Sequence, residues 1–195
     1  MELQRFERRF CSSTLWRIAT QQAVIPWIVR FANQDLSDSA AVLELGCGGG
    51  FNAETLLERF TGWHFTATDY DPEMVELCRS RLVRFGERVQ AEQADATALP
   101  YDGGSFDLVL AIGVLHHVGA WEKALAEAAR VLKPNGSLLM VDLLDTFFVG
   151  PLRTVFPPVR TYTADQLVSE LPRAGFTRYR LRGETLWCRL LAQAA

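Results

Sequence analysis

The sequence predicts an α/β fold built on a doubly wound, mostly parallel sheet, and three observations carry that expectation. Short apolar runs at residues 42–45, 106–111 and 137–141 alternate with stretches whose apolar residues recur at helical spacing. That alternation puts strands side by side with helices packed over them. A glycine-rich turn, Gly46-Cys47-Gly48-Gly49-Gly50, joins the first run to a helical stripe of Ala53, Leu56, Leu57 and Phe60. The run 106–111 is apolar almost throughout, as a central parallel strand covered on both faces must be.

Size and charge narrow the field. At 195 residues and 49% hydrophobic, the chain is expected to be one domain over residues 1–195 with a substantial core. Its parts are a helical cap (1–39), a ligand-binding core (40–142), and an acceptor-side segment with a terminal hairpin (143–195). Net charge is −3 with both signs interspersed, which excludes the basic footprint of a nucleic-acid binder. No apolar run is long enough to span a bilayer, and Arg17, Gln21 and Gln22 interrupt any signal-peptide core. Cys11, Cys47, Cys78 and Cys188 are scattered, with neither a C-x-x-C pair nor metal-ligand spacing, so no metal site is expected. Free thiols in a reducing cytoplasm are the expected state.

The first stretch reads as helical. Leu3, Phe6 and Phe10 share a face, Ser12-Ser13-Thr14 offers a cap, and Leu15, Ile18, Ala19 and Ile25 extend the stripe. Pro26 is expected to break or kink this helix before residues 27–31, and residues 33–39 to form a polar connector. After the glycine loop and its helix, residues 63–68 predict a second strand ending in Asp69-Tyr70-Asp71-Pro72. Asp71 and Pro72 suit the N-cap and first position of a helix striped by Met74, Val75, Cys78 and Leu82, with Gly86 as its stop. Residues 89–94 predict a weak third strand. A fourth strand (106–111) and a helix carrying Trp121, Leu125, Ala128, Ala129 and Leu132 follow. The turn Lys133-Pro134-Asn135-Gly136 leads into a fifth strand at 137–141. Beyond it, residues 143–160 are aromatic and proline-rich without a clear period. Thr163-Ala164-Asp165-Gln166 is a capping box opening a helix that Pro172 should end. Residues 177–182 and 185–192 predict a terminal hairpin turning at Gly183-Glu184.

The chemistry concentrates at the glycine loop. Bare amides and the positive end of a helix dipole face whatever lies there. A dinucleotide fingerprint, G-x-G-x-x-G, would need glycine at 51, where bulky Phe51 stands. The phase here is Gly46, Gly48, Gly50, preceded by Glu44. A buried carboxylate beside the loop suits a cationic ammonium and would repel a pyrophosphate. Asp69 falls about 20 residues beyond the loop, where such a unit places an acid against ribose hydroxyls. A carboxylate can accept both together.

The string E-x-G-x-G-x-G resembles the first motif of the class I S-adenosylmethionine-dependent methyltransferases. Ala94-Asp95-Ala96, Leu99-Pro100-Tyr101-Asp102 and Ser105-Phe106-Asp107-Leu108-Val109 are similar to the DA-x-x-LPF-x-D-x-SFD run of their small-molecule, type 11-like branch. The usual K-P-G-G turn has Asn135 here. The likeness spans residues 42–142 and thins beyond. It implies a Rossmann-like sheet of order 3-2-1-4-5-7-6, whose last strands form an antiparallel hairpin. It implies S-adenosylmethionine as cofactor and S-adenosylhomocysteine as product. Cofactor contacts would be Glu44, Gly46, Cys47, Gly48, Asp69, Tyr70 against the adenine face, Asp95 and Ala96 at the adenine edge, and Ile112 and Gly113.

The expected reaction is methyl transfer to a small, fairly apolar acceptor, with O-, C-, N- and S-methylation all open. The metal-dependent catechol-type branch carries acidic and amide ligands after the fifth strand, where this chain has Asp142-Leu143. The N/D-P-P-Y/F motif of nucleobase amine methylation is replaced by Ala111-Ile112-Gly113-Val114. His116 and His117 are the candidate bases with an ordinary pKa near neutrality; the alternative is that they shape the loop, a ring nitrogen held by backbone. Phe10, Trp16, Trp27, Phe147 and Phe148 are expected to wall the acceptor pocket, against the alternative of core and edge packing. Two other functions compete: a non-catalytic S-adenosylmethionine-binding module acting with a protein partner, and a nicotinamide oxidoreductase, which Phe51 and Glu44 disfavour.

Overall fold

The computed structural model describes residues 14–144, 162–183 and 187–195, with side chains described except at 14–17, 19 and 187. Backbone contacts group the chain into two compact units, Met1–Asp95 and Ala96–Ala195.

The first unit contains α1 (Thr14–Ala23), α2 (Ile25–Asp35), β1 (Ala41–Leu45), α3 (Phe51–Arg59), β2 (His64–Asp69), α4 (Pro72–Leu82), a 3-10 segment (Val83–Arg88) and β3 (Val89–Gln93). Its strands are parallel, with Leu43 opposite Thr66 and Thr66 opposite Gln90. Val42, Leu43 and Leu45 of β1 are fully buried, as are Ala53, Leu56 and Leu57 of α3. Each such leucine contributes about 1.5–3 kcal/mol of burial, so the helix is held by one face. Asp71 caps α4 as expected, accepting from the Glu73 amide at 3.0 Å with Pro72 in the first turn.

Two expectations need correction here. The helix break falls at Val24, and Pro26 sits in the first turn of α2. A proline there forfeits an N–H that would have no helical partner anyway, so it starts the helix instead of breaking it. Helix α2 then runs to Asp35, through residues read as a polar connector, because its buried face of Ile25, Ile28, Phe31 and Ala32 anchors it.

The second unit contains β4 (Phe106–Ile112), a 3-10 turn (Leu115–His117), α5 (Trp121–Val131), β5 (Leu132–Leu143), α6 (Ala164–Ala174), β6 (Phe176–Arg182) and β7 (Trp187–Ala194). Strands β4 and β5 are parallel, while β7 runs antiparallel to both β5 and β6. The full sheet has the order β3-β2-β1-β4-β5-β7-β6, as expected. The Lys133–Gly136 turn lies inside β5. Pairing shifts register between Phe106 and Leu108, and Asn135 takes φ 63°. Asparagine tolerates that left-handed conformation, and Lys133 Nζ pins the bulge to Asp107 at 2.8 Å.

The Leu99–Asp102 motif is clasped to α5. Arg130 donates to the carbonyls of Leu99 (3.0 Å) and Tyr101 (2.7 Å), and Glu127 accepts from the Leu99 amide at 2.7 Å. The capping box at Thr163 and Gln166 forms in full. Pro172 does not end α6. The helix continues to Ala174 and closes on Gly175 at φ 106°, whose left-handed C-cap suits the termination better. Gly183 has φ 88°, and the rest of the expected hairpin turn lies outside the described residues.

Candidate functional site

In the first unit, three glycines bend the chain out of β1. Gly46, Gly48 and Gly50 have φ of 64°, 51° and 77°. At Gly48 an added Cβ would meet nothing within 4 Å, so this part of the loop borders open space. At Gly50 it would lie 2.9 Å from Cys78 Sγ, so here glycine serves close helix packing. The loop is tied to β2 by the Cys47 amide donating to Thr68 O (2.8 Å) and the Gly48 amide donating to Asp69 Oδ2 (2.9 Å). Phe51 opens α3 under the Arg81 guanidinium, 3.7 Å from the ring centroid.

Two carboxylates flank this loop. Glu44 is 1% exposed. Its Oε1 accepts from Asn52 Nδ2 at 3.0 Å, while its buried Oε2 has no partner. Burial pushes its carboxyl up to about 8, against the lowering pull of the Asn52 bond and with help from the Asp69 charge. Asp69 is buried too, and its Oδ1 accepts from the Asp71 amide at 2.9 Å. Its carboxyl is raised, chiefly by burial. Both Asp69 oxygens thus already brace backbone, and each keeps a further lone pair for a ligand hydroxyl.

Among the other expected contacts in this unit, the Cys47 thiol donates to the Gly48 carbonyl at 3.7 Å. A hydrogen bond with the free Cys78 thiol, and then burial, raises its pKa. Tyr70 is 48% exposed at the end of β2, and Asp95 is exposed. Trp27 is half-buried on α2. Trp16 lies in α1 with its side chain outside the described set, and Phe10, Phe147 and Phe148 lie outside the described residues altogether.

In the second unit, Ile112 is buried at the end of β4, and Ala96 and Gly113 are half-buried. Gly113 turns the chain at φ 67° and donates to Val141 O at 2.7 Å. The 3-10 turn that follows places the two histidines, their rings 3.9 Å apart. His117 is pushed down to about 3 by burial and then by His116, so it stays neutral.

His116 is held by a side chain that the motif reading did not assign to it. Asp142, 0% exposed at the end of β5, faces His116 Nδ1 with Oδ1 and accepts from the His116 amide with Oδ2 at 3.1 Å. Tyr162 O–H donates to the same Oδ2 at 2.9 Å, and the Leu143 amide to Oδ1 at 2.7 Å. The expectation that backbone would hold a ring nitrogen is thus corrected for His116, whose ring partner is a carboxylate. The signal in the sequence was an acid at a strand's carboxyl end, but its partners lie 26 residues upstream and 20 downstream.

Sequence comparison settles the lineage. Residues 43–140 match the family described as "Methyltransferase domain". The chain belongs to this family. Relatives of this methyltransferase chain include a demethylmenaquinone methyltransferase of Clavibacter sepedonicus, 36% identical over 66% of this chain and 47% of that one. Another is a phthiotriol/phenolphthiotriol dimycocerosates methyltransferase of Mycobacterium leprae, 32% identical over 70% and 50%. The chain spans about half the length of the curated relatives it matches. Among solved structures, an S-adenosylmethionine-dependent methyltransferase of Aquifex aeolicus superposes with a TM-score of 0.76 at 19% identity, covering all of both chains. The family's cofactor is S-adenosylmethionine, and the first unit's loop fits it. The orphaned Glu44 oxygen asks for a cationic or hydrogen-donating partner, and the loop leaves room at Gly48.

Proposed function

We propose that this chain transfers a methyl group from S-adenosylmethionine to a small, fairly apolar acceptor. The observation that carries the reading is the buried, unpartnered Oε2 of Glu44 at the edge of a glycine loop of methyltransferase phase. A carboxylate in that position is stabilised by a ligand ammonium and by little else in its surroundings. Asp69 accepts the ribose hydroxyls, the loop backbone at Gly46, Cys47 and Gly48 lines the amino-acid end, and Tyr70, Asp95, Ala96, Ile112 and Gly113 serve the adenosine as the resemblance implies. When bound, the cofactor supplies an electrophilic methyl and departs as the thioether. The protein's own part is to align the acceptor, exclude water and take up a proton where one is released.

The two relatives' names, each of a methyltransferase for a small molecule, support that class of acceptor here. The aromatics Phe10, Trp16, Trp27, Phe147 and Phe148 are assigned to its pocket wall, and a cytoplasmic setting accords with the three buried free thiols among the described residues. No helix among the described residues is long and apolar enough to cross a membrane. The test pairs calorimetry with S-adenosylmethionine, S-adenosylhomocysteine, NAD and NADP with a labelled-methyl screen of small acceptors. Nicotinamide binding without S-adenosylmethionine binding would refute the cofactor reading. Cofactor binding with no transfer to any acceptor would favour a non-catalytic module that works with a protein partner.

A further inference from the structure

We propose that the outer edge of β6 docks an extended, acidic segment of a protein partner, which adds to the sheet as one more strand. The site lies wholly in the terminal hairpin and does not depend on the methyl-transfer reading.

Strand β6 is the last of the sheet and pairs only with β7. The N–H and C=O groups on its outer side therefore meet no strand of the described sheet, and an unpaired edge is a template for another chain. Thr177, Arg178, Tyr179, Arg180 and Arg182 are exposed, so the strand lies open to solvent. A bulge commonly twists such an edge away from would-be partners. Here the register shifts only between Phe176 and Arg178, and pairing is regular from Arg178 to Arg182.

Alternation puts Arg178, Arg180 and Arg182 on one face, roughly 6.5–7 Å apart, opposite Gln193, Leu191 and Arg189 of β7. Arg189 is exposed as well. Among the described residues no carboxylate forms an ion pair with Arg178, Arg180 or Arg182. Residues 176–195 hold four arginines and one acid, Glu184, so the hairpin is positive on a chain whose net charge is −3. Guarding an edge takes a charge, most often a lysine. It does not take Arg182 directly opposite Arg189, because like charges across a sheet destabilise it. The row costs the fold stability, and its match lies outside the fold.

The occupant follows from spacing and sign. A strand laid along β6 repeats its side chains at the same interval on the same face, with directly opposite Cβ atoms about 4.5–5.5 Å apart. Acids at alternate positions each meet a guanidinium, whose planar fork binds a carboxylate through two hydrogen bonds. Main-chain bonds along the edge hold the register. A lipid surface fits less well. The exposed ring of the hairpin, Tyr179, lies on the opposite face of β6, across from Ala192, and Leu191 on the arginine face is half-buried. The described side chains thus place no exposed apolar group beside the arginines for insertion among lipids. A second copy paired through its own β6 would set arginine against arginine.

The probe is a capped heptapeptide of alternating glutamate and valine, followed by fluorescence anisotropy and by hydrogen exchange of the protein. It should bind, slow exchange of the β6 amides, and bind more weakly as salt is raised. The triple variant Arg178→Gln, Arg180→Gln, Arg182→Gln should raise its Kd roughly 3- to 150-fold, each cross-strand charge pair being worth about 1.4- to 5-fold. The Tm of that variant should equal or exceed wild type, since repulsion is relieved. Peptide of the same composition with its glutamates contiguous, or N-methylated throughout, should bind far less. No binding of the alternating peptide, equal binding of either control, or unchanged β6 exchange would overturn the proposal. So would a lower Tm in the triple variant, which would make the arginines structural. Arginine-dependent binding to phosphatidylglycerol vesicles but not to the peptide would assign the face to a membrane, and a dimer that protects β6 would assign it to a second copy; either result also overturns the proposal.

Discussion

With Glu44 meeting the cofactor's ammonium as proposed, cofactor binding becomes a proton-linked event whose size can be worked out. The free protein holds this carboxyl at about 8, far above its ordinary 4.5, because burial penalises the charge and the Asp69 charge adds to it, against the lowering pull of the Asn52 bond. At pH 6–7 it is therefore protonated. A cationic ammonium placed beside it favours the carboxylate, and if the bound value returns near 4.5 the proton is expelled on binding. Affinity should then rise about tenfold per pH unit between pH 6 and 7. That window lies below the titration of the ligand's own α-amino group, at about 7.7–8.0. The sign for stability is opposite. The unfolded chain loses this proton near 4.5 and the folded one near 8, so from pH 4.5 to 8 rising pH costs the ligand-free protein stability, on the order of 4–5 kcal/mol in total from this group. Calorimetry in two buffers of different ionisation enthalpy reads the released proton directly. Glu44→Gln should abolish both the proton release and the pH slope. Equal enthalpies in the two buffers with a flat Kd from pH 6 to 7 would refute the reasoning.

Three further outcomes follow from particular contacts. Gly50→Ala should cost about 1–3 kcal/mol by denaturant melting, from a left-handed φ and the overlap with Cys78 Sγ; combining it with Cys78→Ala should recover part of the loss, and equal stability in both backgrounds would count against the overlap. Asp69→Ala should weaken S-adenosylhomocysteine binding roughly 10- to 150-fold and also lower the Tm, because the Gly48 and Asp71 amides lose their acceptor; an unchanged Kd in a folded mutant would remove Asp69 from the cofactor site. Tyr162→Phe should destabilise by about 1.5–3 kcal/mol, the worth of one donor to a buried carboxylate, with no change in cofactor Kd; a silent substitution would mean that Asp142 does not depend on this hydroxyl.

The strands and helices were legible wherever periodicity was strong. The buried stripe of α3 and the cap at Asp71 both lie where pattern and propensity agree. The departures share a cause: a local breaker acts only through its context. Pro26 and Pro172 read as stops in isolation, yet one sits in a first turn, where its missing donor costs nothing, and the other is followed by a glycine better suited to end a helix. The Lys133–Gly136 segment reads as a turn from composition alone. Its place inside β5 depends on pairing with β4 across a register shift, which no local signal encodes.

The site divides along the same line. Glu44, the loop and Asp69 lie within 26 residues of each other in a spaced motif, so their association could be read from the string. What the string withheld was the use each group makes of its neighbours: that Asp69 already braces two amides, and that one Glu44 oxygen is left with no donor. The cluster around Asp142 was illegible for a plainer reason. Its members sit at 116, 142 and 162 on a 3-10 turn, a strand end and the residue before a capping box, and only the folded second unit joins them. Sequence presented two adjacent histidines as equivalent candidates. The fold separates them: His116 Nδ1 faces the Asp142 carboxyl, while burial pushes the pKa of His117 down to about 3 and keeps it neutral. A choice between neighbours in the chain is thus made by residues distant in it.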